Sequence, residues 1–285
     1  MRYLKKRKRL GILFIIPSFL GVCIFVLLPY MGILLRSFNV TGGNGNPSFV
    51  NYEKVLSNSA FRLAVKNTVY FTCVSIPLLI VLSLLIAYFI ASRIKNSKWV
   101  QTGVLLPMVI PVSTVVILWN AIFHEYGFLN KILQFPPGGG VDWMNDRYAM
   151  GVLVLTFLWR NIGFAIVLWI AGISAIPSAM TEAARIDGAN GRQRFLYIVC
   201  PNLVYYFLCI TMLALVNSFK IYREAYLIAG EYPAESIYML QHLFNNWFRD
   251  LQVANLSAGA VIQLVITVLA LFLLLRVCVR KGLEL

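Results

Sequence analysis

The sequence predicts an all-α, polytopic membrane protein with six transmembrane helices, and three observations carry this prediction. The 285 residues are 60% hydrophobic and 13% charged, whereas soluble domains are about 45–50% apolar and about 25% charged. Several charge-free stretches exceed the roughly 20 residues that a helix needs to cross a ~30 Å hydrocarbon layer. Apolar and polar residues alternate only weakly, which disfavours a transmembrane barrel.

The charge-free stretches position the six helices. They cover residues 10–35, 67–92, 99–123, 161–181, 195–219 and 251–275. The fourth helix is expected to begin near Tyr148 and to include Arg160. It therefore spans about 148–173.

Lysine and arginine placement predicts the orientation. With the N-terminus inside, the inner segments hold 15 basic residues and the outer segments hold 8. The inner segments are 1–9, 93–98, 174–200 and 276–285, and the outer ones are 36–66, 124–147 and 223–250. Because basic residues favour the cytoplasmic side, both termini are predicted to be cytoplasmic. The same rule accounts for the net charge of +14, and no groove-reading motif suggests nucleic-acid binding.

The first apolar stretch resembles a secretory signal but is longer than 7–15 residues and has no small-residue cleavage site. An uncleaved first helix is the better interpretation. The five cysteines form no C-x-x-C motif, so we interpret them as packing residues rather than as zinc ligands or disulfides.

Motifs for catalysis or nucleotide binding are absent from the sequence. His124 and His242 are 118 positions apart, and neither H-E-x-x-H nor G-x-S-x-G occurs. The glycine-rich loops Thr41–Ser48 and Phe135–Gly140 are not followed by the Lys-Ser or Lys-Thr of a phosphate-binding loop. We therefore expect no catalytic residue, metal or cofactor in this chain.

The segment 223–250 is the longest outer connection and is rich in aromatic residues. Those residues include Tyr226, Tyr232, Tyr238, Trp247 and Phe248. They favour a folded cap or an interfacial helix as much as an aromatic belt at the lipid headgroups, and the sequence leaves both interpretations open.

Arg160 is the ionisable residue inside a predicted helix, where an arginine costs about 2.5–3.5 kcal/mol on insertion scales. Trp159 precedes it and Asn161 follows. Aromatic rings and hydrogen-bonding side chains are what a sugar requires, so the three residues are candidates for a substrate path. The alternative is an arginine that pairs with the backbone of a neighbouring helix or extends to the interface.

Two further polar groups are weaker candidates for the same path. Asn217, Lys220 and Tyr222 close the fifth predicted helix. Asn217 is the most informative of them because a lipid-facing amide is disfavoured, whereas Lys220 could simply extend outward. Asn120 ends the third helix beside Trp119.

The inner segment between the fourth and fifth helices predicts two short helices joined by a turn. Pro177 suits the first helical turn, with Ser174 or Ser178 as the cap. Asp187-Gly188 indicates the helix end. Asn190 suits the cap of a second helix that runs through Phe195 towards Pro201.

The surface of the first short helix is suited to docking. Ala179, Ala183 and Ile186 form a narrow apolar stripe at i, i+4 and i+7. Glu182 and Arg185 are spaced to form an ion pair. From composition alone, an ordinary cytoplasmic loop with a helical turn is the favoured interpretation.

Glu182-Ala183-Ala184, then Gly188, then Ile198-x-x-Pro201 resemble the EAA loop of ABC-importer permeases. The run EAARIDGA at Glu182–Ala189 is especially similar to the carbohydrate (maltose-type) branch. Further stretches resemble the same family: the first helix, Pro47–Leu56, Lys66–Thr72, Leu105–Phe123 and Gly172–Ala189. Two positions depart from the family pattern: Cys200 replaces a leucine, and IAGEYPAES holds one glycine where relatives have several.

The resemblance implies a type I ABC importer permease fold in a bacterial inner membrane. It implies a basic N-terminus at 1–9, a first helix at 10–35, an external loop at 36–66, a five-helix core at 67–280 with a coupling loop at 174–200, and a C-terminus at 281–285. The chain would provide half of a carbohydrate path. Residues implied to contact the ATPase are Glu182, Ala183, Ala184, Arg185, Asp187, Gly188 and Pro201.

The implied partners are a second homologous permease, two ATPase subunits that bind ATP and magnesium, and an external solute-binding protein. Glycerol phosphates are an alternative substrate, which Arg160 would suit. A secondary transporter is the rival class. It would favour inverted repeats, broken helices and buried acids, none of which we find in the sequence.

Overall fold

The computed structural model describes residues 15–38, 47–93, 98–134, 140–144 and 147–282. The predicted N-terminus at 1–9 lies outside the described residues. So do most of the loops Thr41–Ser48 and Phe135–Gly140, most of the segment 93–98, and the end of the C-terminus at 281–285. The described residues form helices, turns and coil without any strand, so the all-α prediction is confirmed.

Fourteen helices make up the described part of the chain, besides short 3-10 and π segments. They are α1 (Ile15–Ser37), α2 (Val50–Ser57), α3 (Ser59–Arg93), α4 (Lys98–Val109), α5 (Val112–Phe123), α6 (Phe128–Ile132), α7 (Ala149–Ala175), α8 (Ser178–Ile186), α9 (Gly191–Arg194), α10 (Cys200–Asn202), α11 (Val204–Ser218), α12 (Tyr222–Ala229), α13 (Leu240–Arg249) and α14 (Val253–Gly282).

Within these residues, six helical stretches are long and apolar enough to cross a membrane, as predicted. They are Ile15–Ser37, Ser59–Ser92, Val112–Ile132, Ala149–Ala175, Val204–Leu227 and Val253–Arg276. The fourth and sixth lie close to their predicted positions, and the first ends two residues later than predicted. The second ends as predicted but begins eight residues earlier, inside the predicted external loop 36–66. The third and fifth are displaced.

The third predicted helix, 99–123, is broken into α4 and α5. Ile110 and Pro111 separate the two helices, and Pro111 is extended, with φ −57° and ψ 144°. Proline lacks an N–H donor and disfavours the helical region for the preceding residue, so a helix break is favoured at this position. The prediction of an unbroken helix, and with it the expectation that the chain has no broken helix, was wrong.

The fifth transmembrane stretch begins and ends later than the predicted 195–219. A turn at Leu203, with φ −96° and ψ 5°, separates it from the preceding segment. At its other end, the 3-10 turn Phe219–Ile221 connects α11 directly to α12. Residues 222–227 therefore continue the membrane-spanning helix and are not part of a loop.

Contacts divide the chain into two compact units. The first comprises residues 1–62 and 244–267. In it, the Ser37 hydroxyl lies 2.7 Å from the Tyr52 hydroxyl, and the Asn51 amide donates to the carbonyls of Arg36 and Ser37. A Cβ at Gly259 would lie 2.8 Å from the Phe244 ring, so the absence of a side chain allows close packing there.

The second unit comprises residues 63–243 and 268–285, and α7 is buried along much of its length. The rings of Phe157 and Phe71 meet edge to face at 5.5 Å. The indole of Trp169 donates to the Ser83 hydroxyl at 3.0 Å. These contacts join α7 to α3 and fix the helix that carries Trp159, Arg160 and Asn161.

The segment 223–250 is folded: it contains most of α12, the 3-10 turn Glu235–Ile237 and α13. The Asn67 amide donates to the backbone carbonyls of Glu235 (2.6 Å) and Tyr238 (2.9 Å). His242 is 1% exposed, and its Nδ1 accepts from the Met239 N–H at 3.2 Å. Burial lowers the pKa of His242 to about 4, so this imidazole is neutral at neutral pH and serves as a packing and capping group.

Candidate coupling element and polar path

The candidate coupling element comprises Ser178–Asn202, and its first helix, α8, ends as the sequence predicts. Gly188 has φ +81°, a left-handed conformation that favours glycine. The Gly188 N–H donates to the Arg185 carbonyl at 3.2 Å, and the Ala189 N–H to the Ala184 carbonyl at 2.9 Å. This pair of bonds is a Schellman motif, which satisfies carbonyls at the helix end and fixes the direction of the turn.

The start of α8 differs from the prediction. Pro177 occupies the N-cap position with φ −56° and ψ 129°, and no side chain caps the helix. Ser174 lies inside α7, and Ser178 is already the first residue of α8. A hydroxyl caps a helix from the N-cap position, which neither serine occupies.

The second arm of the element begins with the predicted cap. Asn190 Oδ1 accepts from the Gln193 N–H at 2.9 Å, and Gln193 Oε1 accepts from the Asn190 N–H at 2.8 Å. This reciprocal capping box starts α9, which continues through the π segment Phe195–Val199 into α10 with Pro201. The Schellman motif and the capping box thus fix the corner, which is the turn at residues 187–190 between α8 and α9.

The outer surface of α8 is open. None of its residues is buried, and Ile186 is 86% exposed. Ala179 and Ala183 are also exposed, so the predicted stripe of small apolar residues is accessible. The Glu182–Arg185 pair predicted from spacing does not form, although the structure describes both side chains. Both charges therefore remain accessible to another molecule.

Arg160 pairs with Glu224, an acid that the charge pattern predicts in an outer loop. Its guanidinium lies 3.3 Å from Glu224, and the two side chains are 19% and 5% exposed. Neither alternative for Arg160, backbone pairing or extension to the interface, describes this arrangement. The expectation that no acid lies within a transmembrane stretch was wrong, because α12 continues the fifth stretch. The sequence does contain an indication that the helix continues past residue 219: neither glycine nor proline interrupts the chain between Asn202 and Gly230.

The structure joins three of the predicted path residues in one hydrogen-bonded chain. The Lys220 ammonium donates to Asn217 Oδ1 at 3.0 Å, and the Asn217 amide donates to Asn161 Oδ1 at 2.9 Å. Asn161 in turn donates to the Phe157 carbonyl at 2.8 Å. This amide chain crosses from α11 to α7 within the transmembrane part of the second unit.

The remaining candidates lie apart from the amide chain. The rings of Trp159 and Trp119 meet at 5.4 Å in a T-shaped arrangement. Tyr222 packs against His242, with ring centroids 4.9 Å apart, and against Tyr226. Asn120 is exposed and joins neither the amide chain nor the ion pair. The structure thus joins Asn161, Asn217 and Lys220, pairs Arg160 with Glu224, and leaves Trp159, Asn120 and Tyr222 outside the amide chain.

Glu224→Gln is expected to lower the free energy of unfolding by about 3 kcal/mol, because it leaves a largely buried arginine without its counter-charge. The measurement is thermal unfolding of the purified chain in detergent. Glu235→Gln is the matched control, since Glu235 is exposed, and it should change little. The double variant Arg160→Gln/Glu224→Gln should be more stable than Glu224→Gln alone. Equal loss in Glu235→Gln would contradict the assignment.

Over residues 64–280 the chain matches the family described as "Binding-protein-dependent transport system inner membrane component". It is 30% identical over 273 residues to the trehalose/maltose transport system permease protein of Thermococcus litoralis, covering 93% of this chain and 91% of that protein. It is 28% identical over 274 residues to the sn-glycerol-3-phosphate transport system permease protein of Agrobacterium fabrum, covering 92% of this chain and 92% of that protein.

Among solved structures, a chain of a bacterial ABC transporter involved in the import of the acidic polysaccharide alginate matches with a TM-score of 0.80. The match covers 98% of this chain and 99% of the other at 19% identity, which establishes the fold. The motifs around Glu182–Pro201, the six apolar helical stretches and the family match over most of the chain agree with one another. The chain therefore belongs to the inner membrane components of binding-protein-dependent transport systems, the permease subunits of ABC importers.

Proposed function

We propose that this chain forms half of the path of an ATP-driven carbohydrate importer and that a separate ATPase subunit drives it through the coupling element. The observation that carries the proposal is the exposed corner of α8, Gly188 and α9, which two caps hold in one shape. Two ATPase subunits bind ATP and magnesium, a second homologous permease completes the path, and an external solute-binding protein delivers the substrate. Both termini are cytoplasmic.

Coupling requires a rigid element that another protein can hold. The small side chains of Ala179 and Ala183 permit close approach, and Ile186 offers an apolar contact. Glu182 and Arg185, each without an ion-pair partner in the described part of the chain, give the contact its orientation. Movement of the corner is transmitted to the fifth transmembrane stretch through the arm that ends at Pro201.

The polar groups inside the membrane support a neutral, hydroxyl-rich substrate. Asn161 and Asn217 provide amide donors and acceptors, which match sugar hydroxyls. Trp159 provides an aromatic face on the same helix. Glu224 compensates the charge of Arg160. Arg160 therefore does not favour an anionic substrate, although its position in the sequence suggested one.

A glycerol phosphate is the alternative, and Lys220 distinguishes the two substrates. Lys220→Gln should lower uptake of an anionic substrate about tenfold or more, since hydrogen bonds to charged groups contribute about 1.5–3 kcal/mol. Uptake of a neutral sugar should change less than about threefold on the same energy scale. The measurement is uptake of each labelled solute into vesicles containing all subunits, with Lys131→Gln, at an exposed lysine, as the control. A tenfold loss of sugar uptake in Lys220→Gln would contradict the neutral-sugar assignment.

Two features of the structure are also typical of secondary transporters: the break at Pro111 and the buried acid Glu224. The family match favours ATP-driven transport. Vesicles with all subunits provide the test: uptake should require ATP and should not follow a proton or sodium gradient alone. Gradient-driven uptake without ATP would contradict the proposal. The substrate itself is identified by the labelled solute that the purified external binding protein retains.

A further inference from the structure

A cavity of about 660 Å³ lies in the second unit, next to the start of α8. Its walls are the ends of α3 and α7, the first turn of α8 and the arm that begins with α9. Hydroxyl side chains and one arginine give it a polar lining between apolar residues. The polar members are Tyr88, Ser92, Ser174, Ser178, Thr181 and Arg194.

Arg194 is the charged group of this cavity. Its Nε is buried and has no hydrogen-bond partner among the described residues. No ion pair to Arg194 is present in the described part of the chain, and none of the described residues that line the cavity is acidic. The Arg194 side chain as a whole is partly exposed and also borders a neighbouring pocket that contains Asp187. Because buried polar groups in proteins are almost always hydrogen-bonded, the unpartnered Nε still points to an acceptor at this cavity.

The surrounding groups are donors that suit the same acceptor. Ser174 and Ser178 place hydroxyls at the cavity, neither of which donates to another described residue. The first turn of α8 has no side-chain cap, and a helix N-terminus carries partial positive charge. Arginine, hydroxyls and backbone N–H groups together form the donor set typical of phosphate recognition.

We propose that this cavity binds a phosphate group, held by Arg194 and the hydroxyls of Ser174 and Ser178. In the orientation proposed above, the cavity lies at the level of the cytoplasmic headgroups. Basic pockets between transmembrane helices on that side bind anionic headgroups. The phosphate belongs to an anionic phospholipid or to a soluble phosphate ester. In either case it would connect α8 to the ends of α3 and α7, and so influence how firmly the coupling element is attached.

The test uses the purified full chain and requires neither transport nor ATP hydrolysis, so its failure is distinguishable from failure of the proposed function. The variants are Arg194→Gln, Arg194→Lys and the control Arg192→Gln, which removes an equal charge from an exposed position in the same helical turn. Native mass spectrometry counts the phosphatidylglycerol and phosphatidylcholine retained after exchange from mixed vesicles of the two lipids. Thermal unfolding is measured in detergent with inorganic phosphate or glycerol 3-phosphate.

We expect wild type and Arg192→Gln to retain phosphatidylglycerol about tenfold more strongly than Arg194→Gln, the factor that corresponds to one charge-assisted contact. Arg194→Lys should be intermediate, because it keeps the charge without the planar fork. If a soluble ester is the ligand, inorganic phosphate or glycerol 3-phosphate should raise the unfolding temperature of wild type and Arg192→Gln but not of Arg194→Gln. Equal responses of Arg192→Gln and Arg194→Gln to every probe would overturn the proposal.

Discussion

Gly188→Pro is expected to lower ATP-coupled uptake about 100-fold or more, the order of loss that a small misplacement of a functional element can cause, while the chain still inserts and assembles. Proline fixes φ near −65°, whereas Gly188 has φ +81°. It also removes the N–H that donates to the Arg185 carbonyl. The Schellman motif therefore cannot form, and α8 is no longer held in the position in which the proposed function requires an ATPase subunit to dock.

Glu182→Lys should have a similar effect by a different route. It reverses an exposed charge on the proposed docking surface without altering the backbone, so the corner keeps its shape but the proposed contact becomes electrostatically mismatched. Like charges placed together at an interface cost several kcal/mol. Both variants are measured in vesicles as uptake and as substrate-stimulated ATP hydrolysis, and both should separate the two activities.

Matched controls are available within the same segment. Gly191→Pro introduces a proline three positions after Gly188, at the first residue of α9, where proline is well tolerated. The preceding Asn190 already has φ −72° and ψ 171°, as a residue before proline requires. Glu53→Lys reverses an exposed charge on α2. Normal coupling in both test variants, or equal loss in both controls, would exclude the docking role of the corner.

The coupling element could be predicted from sequence because its signals are local. The left-handed turn at Gly188 and the cap at Asn190 depend on residues within five positions of each other. The error at the start of α8 is also local: Pro177 took the cap position that was expected for Ser174 or Ser178. Short-range patterns thus predict the corner well but do not fix which residue begins a helix.

Glu224 shows where such patterns fail. A charged residue at the end of an apolar stretch is ordinarily read as the membrane boundary, because an unpaired charge in lipid is costly. Here the cost is offset by Arg160, which lies 64 positions earlier in the sequence. The amides of Asn161 and Asn217 likewise compensate each other, because the hydrogen bond between them lowers the cost of placing each in the membrane. Each residue could be recognised as unusual, but the pairing depends on tertiary structure.

The close crossing of α4 and α7 also depends on tertiary structure, because nothing in the sequence distinguishes Gly163 from the other 18 glycines. A Cβ built on Gly163 would overlap the carbonyl oxygen of Val104 and lie 3.2 Å from the backbone nitrogen of Leu105. Small residues allow transmembrane helices to approach closely. At this position even a methyl group must push the two backbones apart.

Gly163→Ala is therefore expected to lower the free energy of unfolding by about 3 kcal/mol or more, through overpacking. That corresponds to a fall of about 10 °C in the unfolding temperature of a chain of this size, measured in detergent by fluorescence-detected size exclusion. Gly151→Ala, on the same helix and with nothing within 4 Å of its Cβ, should be neutral or slightly stabilising, since alanine favours helix formation. Because the obstructing atoms belong to the backbone, Val104→Ala should not restore Gly163→Ala. If Val104→Ala restored the stability of Gly163→Ala, the contact would be between side chains. An equal loss of stability in Gly151→Ala would show that the close helix crossing is not responsible.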